Sequence, residues 1–487
     1  MSGSAERLSF SNGLVISVAA CLFVWLGTAA PSGAQQPSPR DCAKVNDTPS
    51  STSRPRLLPD RSQEDWSVLC NRALRIDPWD RIKYVRLGSG RSYLSFGGEL
   101  RSSFELYRND NWGAGPQDGN GYGLNRLMGH ADVHIGEHVG AFAELQSGLP
   151  VGRNGGPRPV IEQDDLDVSQ LMVEFRSSHR NTARLTVRAG RQELNYGDGT
   201  LVSTRDLNVR RGFDGINVRV RSAQWGIDAF AVKPVATHKG VFDDTVDHNQ
   251  TFWGVWAATT KGLDVYYLGL ARKSARFDQG ADGEHRHTLG FILREQTGGW
   301  SFAQEGDLQL GTFGSSRLVA WKIAQRTWYS FVRASLRPVV SLQGAVSSGD
   351  ADPGDPRLQT FHPLFPRGVY YGPLVFTSGS LNAIVAHPGV SLQLAPTVAF
   401  TGDTFFFWRT RASDGLYSPS GALLRTGQTS QARYVGAAAD LGVAWRADSH
   451  TTLQFVTAYY GVGAYLRQTQ PAGKDVKYLS VRAAYKF

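Results

Sequence analysis

Arg91-Ser92-Tyr93-Leu94-Ser95-Phe96-Gly97-Gly98-Glu99-Leu100-Arg101-Ser102-Ser103-Phe104-Glu105-Leu106 alternates with a period of two. Leu94, Phe96, Gly98, Leu100, Phe104 and Leu106 share one face, and Ser95, Glu99, Arg101, Ser103 and Glu105 share the other. Successive side chains of a strand point to opposite sides, so this segment reads as a strand with one apolar and one charged face. A strand buried in a sandwich would not carry Glu and Arg in its inner row, whereas a strand with lipid outside and water inside needs that pattern. The next two strands repeat it. Leu127, Ala131, Val133 and Ile135 lie outward with Arg126, His130, Asp132 and His134 inward; then Val139, Ala141, Ala143 and Leu145 lie outward with Glu144 and Gln146 inward.

Connections alternate too. Asn109 to Gly123 is long, Gly136 to Gly140 short, Gly148 to Asp165 long and Ser177 to Asn181 short. That rhythm fits an up-and-down barrel with short periplasmic turns and long outer loops, and it makes Asn195 to Arg210 an outer loop or a segment folded into the mouth. Further strands include Gly215–Arg221, Trp225–Val232, Arg333–Ser347, Val390–Thr401 and Thr404–Arg411, with one more expected near 375–385. The fold class is therefore all-β, a transmembrane antiparallel barrel of about 16 to 18 strands. At the carboxyl end Leu479, Val481, Ala483, Tyr485 and Phe487 alternate outward, and this strand must pair with the first to leave no free edge. A terminal Phe on such a strand resembles the signal read by the outer-membrane barrel insertion machinery.

The 487 residues carry 54 Gly and 11% aromatics, and mean hydropathy is slightly negative. Strands with polar inner faces suit that composition better than helical spans do. Arg7, the apolar run Leu14 to Leu26 and the small residues Ser32 and Ala34 read as a secretory signal over residues 1–34. Residues 35–90 read as a flexible leader and a periplasmic lead-in, with Trp66, Trp79 and Tyr84 packing against the base of a barrel over 91–487. Cleavage after Ala34 removes Glu6 and Arg7, so the net charge of +9 belongs to the exported chain. Cys42 and Cys70 remain, and both a disulfide and two free thiols are open. The charge is dispersed, and export excludes nucleic acid as a partner. Outer-membrane lipid is the expected surround.

A second stretch carries a family likeness. Gly190-Arg191-Gln192-Glu193-Leu194, Tyr196-Gly197-Asp198 and Arg211-Gly212-Phe213-Asp214-Gly215 resemble the signature of the alginate export family, a group of outer-membrane β-barrels. Phe407-Trp408-Arg409, Ser413-Asp414-Gly415-Leu416-Tyr417 and Tyr434-Val435-Gly436 extend the resemblance, which reaches from about Asp65 to Phe487. It implies a lumen lined by arginines that passes a polyuronate, with Arg191, Arg211 and Arg409 as candidates by motif and Asp198 and Asp214 as their partners. It also implies periplasmic secretion partners.

From strand phase alone, Arg101, Arg126, Arg188, Arg219, Arg221, Arg272, Arg294, Arg333, Arg337 and Arg482 face inward. A guanidinium stays charged and presents paired donors to carboxylates, so such a set favours anions. Glu99, Asp132, Glu144, Asp228 and Glu305 are the inner carboxylates that would neutralise part of it. His130, Asp132 and His134, at i, i+2 and i+4, form a weak metal candidate. No cofactor motif and no hydrolase spacing stands out, so a channel without covalent chemistry is expected. Its solute is an anion, either an alginate-like polysaccharide or, as the alternative, a small anion or aromatic acid. A rim-active enzyme and a plugged structural barrel are the readings from other classes.

Overall fold

The computed structural model describes residues 55–88, 91–158, 160–179, 183–367 and 379–487. The expected signal segment, most of the leader and Cys42 lie outside the described residues. Cys70 is disulfide-bonded.

Eighteen antiparallel strands close into one barrel. They are β1 Tyr93–Arg108, β2 Tyr122–Ile135, β3 Val139–Val151, β4 Asp164–His179, β5 Ala183–Gln192, β6 Phe213–Ser222, β7 Trp225–Ala236, β8 Gln250–Thr259 and β9 Leu263–Phe277. The second half comprises β10 Gly280–Thr297, β11 Trp300–Phe313, β12 Ser316–Ser330, β13 Val339–Ser347, β14 Ala383–Ala395, β15 Val398–Arg409, β16 Tyr434–Arg446, β17 Thr451–Val462 and β18 Val476–Lys486. Each pairs with its chain neighbour, and β18 returns to β1 with Leu100 opposite Tyr485 and Phe104 opposite Val481. Closure leaves no row of unpaired backbone groups in the lipid.

The phase expected for the first three strands and the last is the phase observed. Leu100, Phe104, Leu127, Ile135, Val139, Leu145 and Val481 are exposed on the outer surface, while Glu99, Arg101, Glu105, Arg126, Asp132 and Glu144 are buried inside. The end that carries the lead-in and the terminal Phe487 is called the base below, and the opposite end the mouth.

Two expected strands are corrected. Arg333–Ser347 begins only at Val339, because Leu336 and Arg337 adopt left-handed backbone, with φ of 62° and 42°, that no strand can hold. Arg333 and Arg337 therefore lie exposed in a base turn and not in the lumen. Val390–Thr401 spans the tight Pro396–Thr397 turn between β14 and β15, across which the apolar alternation happens to continue in phase. Two mouth connections, Asp278–Gln279 and Gly314–Ser315, are also tight turns and not long loops.

The lead-in folds into three single 3-10 turns and a short helix, Asp80–Lys83. Trp66 and Leu69 bury against Tyr84 and Tyr93 of the first strand region. Trp79 packs on Phe487 at 4.4 Å between ring centres and donates its indole N–H to Tyr485 Oη at 2.8 Å. The Phe487 carbonyl accepts from Gly98 N and from Arg61 Nη2, at 2.9 and 2.8 Å. Chain end, first strand and lead-in thus lock together at the base.

Candidate functional site

Gly190 and Gly215, the glycines that frame the family-like stretch, face each other in register on β5 and β6. Their φ values are +125° and +157°, and a Cβ on either would come within 2.3 Å of a carbonyl oxygen, that of Leu171 or Ala231. Only glycine admits that bend. It turns the intervening segment, residues 193–212, inward across the lumen.

Three sets of contacts hold this loop. Toward β1 and β2, the Asp206 carboxylate accepts from Arg126 Nη1 at 2.6 Å and from Arg101 Nη1 at 3.3 Å, and the Leu207 carbonyl takes a further donor from each arginine. Toward β10 and β12, Asp198 pairs with Arg294 at 3.2 Å and Arg326 at 2.5 Å, and Thr200 donates to Glu305. Toward the lead-in, buried Arg210 pairs with Glu193 at 2.7 Å and donates to the Pro59 carbonyl. Enclosure within the barrel works to raise the Asp206 carboxyl even though its side chain meets lumen solvent, but Arg126, Arg101 and Arg210 around it outweigh that and hold it well below the usual carboxylate range. It is therefore ionised at any working pH.

A second mouth loop, from Ser348 onward, also folds in. Phe365 N donates to the Leu201 carbonyl and Ser203 N to the Phe365 carbonyl, so the two loops pair as a strip of backbone. Leu194, Leu201, Phe213, Phe230, Phe252, Phe361 and Phe365 form an apolar cluster inside the barrel. Arg211 donates to the Ser203 and Pro366 carbonyls and lies over the Phe365 ring at 5.4 Å.

The arginines singled out in the sequence separate into groups. Arg101 and Arg126 line the lumen and hold Asp206, with Arg126 also donating to Glu99. Arg188 binds Glu174 and the lead-in's Ser62. Arg191 stands opposite exposed Leu171 on the outward phase and is clamped to Asp214 through two hydrogen bonds of 3.0 and 3.2 Å, so this motif arginine braces the mouth rim and does not face the lumen. Arg211 ties loop to loop. Arg409 is fully buried, spends its donors on the carbonyls of Ala412, Asp414, Ser430 and Ala432, and stacks on Tyr465 at 3.8 Å. It is a loop anchor with no face left for a solute. Asp132 pairs with His134 Nε2 at 2.8 Å and Arg176 binds its Nδ1 at 3.0 Å, leaving neither nitrogen for a metal; His130 stacks on Phe142. Glu144 accepts from Gln170.

Two arginines differ from the rest. Arg219 has one loose contact, Nε to Asp228 at 3.6 Å, while Arg221 binds that carboxylate directly. Arg482, between Arg101 and Glu105 on the adjoining strand, has no hydrogen bond or ion pair among the described residues. It borders the less filled wall: inward positions of β14 to β18 such as Thr401, Asp403, Asp440 and Gln454 keep solvent exposure, as does Asp206, whose side chain is 60% exposed inside the barrel. Toward the base, a cavity of about 540 Å³ joins Arg219, Arg221 and Arg294 to Asp198, Asp228 and Asp264 and borders the buried rings of Tyr196 and Trp256. Those rings stack at 5.5 Å, and Trp256 stacks on Tyr266 at 4.0 Å. Sequence reasoning does not single out Asp206, although it lies within the inward loop that the family-like stretch encloses, because no periodicity shows where such a loop returns to the wall.

The family described as alginate export matches residues 92–478, from the start of β1 into β18. The chain belongs to the alginate export family. Solved structures share the architecture: OccK3 (OpdO) of Pseudomonas aeruginosa at TM-score 0.53 and 12% identity covers 81% of this chain and 95% of that one. OpdK of the same organism, solved with vanillate, gives 0.53 and 9%, covering 81% and 98%. OccAB1 of Acinetobacter baumannii gives 0.54 and 12%, covering 81% and 97%. At that identity the likeness speaks to fold. No curated protein matches the chain. This member of the alginate export family is a β-barrel of the bacterial outer membrane with the fold of a porin.

Proposed function

We propose that this alginate export family member is a passive channel for small carboxylate-bearing solutes, oligouronates among them. The carrying observation is the exception in the lumen. Most inner arginines are neutralised by carboxylates, yet among the described residues Arg482 has no ion-pair partner and Arg219, beside the base cavity, has only a loose one. A cation left available in water concentrates anions, and weak contacts in series avoid a deep trap. The inward loops favour short solutes over a freely threading polymer, since the aromatic cluster and paired backbone fill part of the lumen.

Planar-bilayer recording tests this. A salt gradient should give an anion-selective reversal potential. Di- and trigalacturonate, and separately benzoate, should produce current interruptions that Arg219→Ala and Arg482→Ala both reduce. Cation selectivity, or interruptions unchanged in both variants, would overturn the proposal. Interruptions by benzoate alone would favour the aromatic-acid reading, in line with the vanillate with which the OpdK structure was solved.

A further inference from the structure

On the outer surface at the mouth end of β16 and β17 lies a groove of about 690 Å³. Ala437, Ala439 and Gly461 make its floor, Tyr434 and Tyr459 its walls, and Arg467, on the short helix Ala464–Gln468, stands at its upper edge. Cations continue sideways from it. Lys477 of β18 is the cross-strand neighbour of Tyr459, and Arg108 of β1 is the neighbour of Lys477. Arg108, Lys477 and Arg467 are all exposed. The nearby carboxylate, Asp475, accepts from Tyr459 Oη at 2.6 Å and from Val462 N at 2.9 Å and forms no ion pair with the three cations among the described residues.

A groove on an aqueous surface could stay wet, but this one lies on the lipid-facing side of a barrel, where hydrocarbon fills any apolar recess. Its position fixes the leaflet: the mouth is opposite the end that carries both the lead-in and Phe487, so the groove sits at the outer leaflet boundary. An apolar floor below and a row of three cations above match an acyl chain and a phosphate. Aromatic walls suit the headgroup level, where amphipathic rings collect.

We infer that this groove binds a phosphorylated acyl lipid of the outer leaflet, its chain along Ala437, Ala439 and Gly461 and its phosphate on Arg467, Lys477 and Arg108. The full barrel, purified in a zwitterionic detergent, is titrated with diphosphorylated lipid A and with its dephosphorylated counterpart, and retained lipid is counted by native mass spectrometry. Retention should be at least tenfold stronger for the phosphorylated lipid. The double substitution Arg467→Glu with Lys477→Glu should abolish that preference, and Ala439→Trp should lower retention of both lipids by filling the floor. Lys261→Glu, an exposed base-turn cation, serves as the control and should change nothing. Heat-modifiable migration on gels confirms that each variant is folded. Equal retention of the two lipids, a phosphate preference that survives the double variant, or a protein dimer lost on Ala439→Trp in place of lipid, would each overturn the inference.

Discussion

Replacing Asp206 by Asn isolates charge from shape where the inward loop meets the wall. The amide oxygen can still accept from Arg126 and Arg101, whose Nη1 atoms approach the carboxylate at 2.6 and 3.3 Å, so the inward loop should keep its place. What changes is the loss of one negative charge beside Arg101 and Arg126, with Glu99 left as the carboxylate paired to Arg126. Because the Asp206 side chain is 60% exposed within the barrel, the lost charge acts on ions in the lumen itself. A unit charge about 6 Å from a passing ion in a water-like medium contributes roughly 0.7 kcal/mol. Screening at 0.1 M salt leaves about half of that. The result is about a twofold gain for anions with a similar loss for cations, hence about a fourfold rise in the anion-to-cation permeability ratio. Reversal potentials in a KCl gradient centred on 0.1 M read this directly. The shift should nearly vanish at 1 M, where the screening length is about 3 Å. Unitary conductance should stay close to that of the parent. An unchanged ratio at low salt, or a shift that persists at 1 M, would refute the reasoning, the latter by pointing to altered shape.

Other expectations follow from the same geometry. Phe365→Ala removes a buried ring from the cluster that joins the two inward loops, a loss of about 3–5 kcal/mol for a full aromatic truncation, and should raise unitary conductance while lowering solute-induced interruptions. Gly190→Ala forces a Cβ to within 2.3 Å of the Leu171 carbonyl at a φ of +125° and should lower folding yield, with a destabilisation of about 1–3 kcal/mol seen as loss of heat-modifiable migration. Burial, followed by the neighbouring carboxylates, pushes the mouth-loop residue Asp350 up to about 7 from 3.8. A carboxyl whose pKa is raised in the folded state favours the fold when protonated, so loop packing should weaken as pH rises through that window and level off above it. Limited proteolysis should therefore cut the loop faster at pH 8 than at pH 5.5, and Asp350→Asn should remove the difference.

The barrel was legible because its outer face is set by one rule that holds residue by residue: lipid on one side makes every second position apolar, as at Leu100, Phe104, Leu127 and Val481. The rule fails where strands end. At Leu336 and Arg337 the chain turns through left-handed backbone that leaves no mark on periodicity, and strand phase consequently misassigns Arg333 and Arg337 to the wall. The same limit governs the site. Strand phase identifies Arg101, Arg126, Arg219 and Arg482 as inward, yet it cannot say which are neutralised, since that depends on loops such as 193–212 arriving from elsewhere in the chain. Family motifs point to Arg191, Arg211 and Arg409, and each braces a loop or a rim. Motif residues that hold a bend in place need not be the residues that meet the solute.

That division suggests how such a lumen can be both rigid and permeable. A ring of free guanidiniums would repel itself and would hold a polyvalent anion too tightly to release it. Pairing Arg126 with Glu99 and Asp206, Arg326 with Asp198, and Arg188 with Glu174 instead converts charge into cross-links between wall, inward loop and lead-in. The Arg126–Glu99 and Arg188–Glu174 links are buried on both sides, so removing a single partner there is costly, at about 3–5 kcal/mol, whereas the links to Asp198 and Asp206 open on the lumen and are weaker. The loops can then stay folded inward without help from a solute. On the proposed reading, one or two cations such as Arg482 and Arg219, left over against that stiff background, bias the passage toward anions. Anion selectivity, if carried by the few arginines that the cross-linking leaves over, should be lost by changing those few while the barrel itself remains intact.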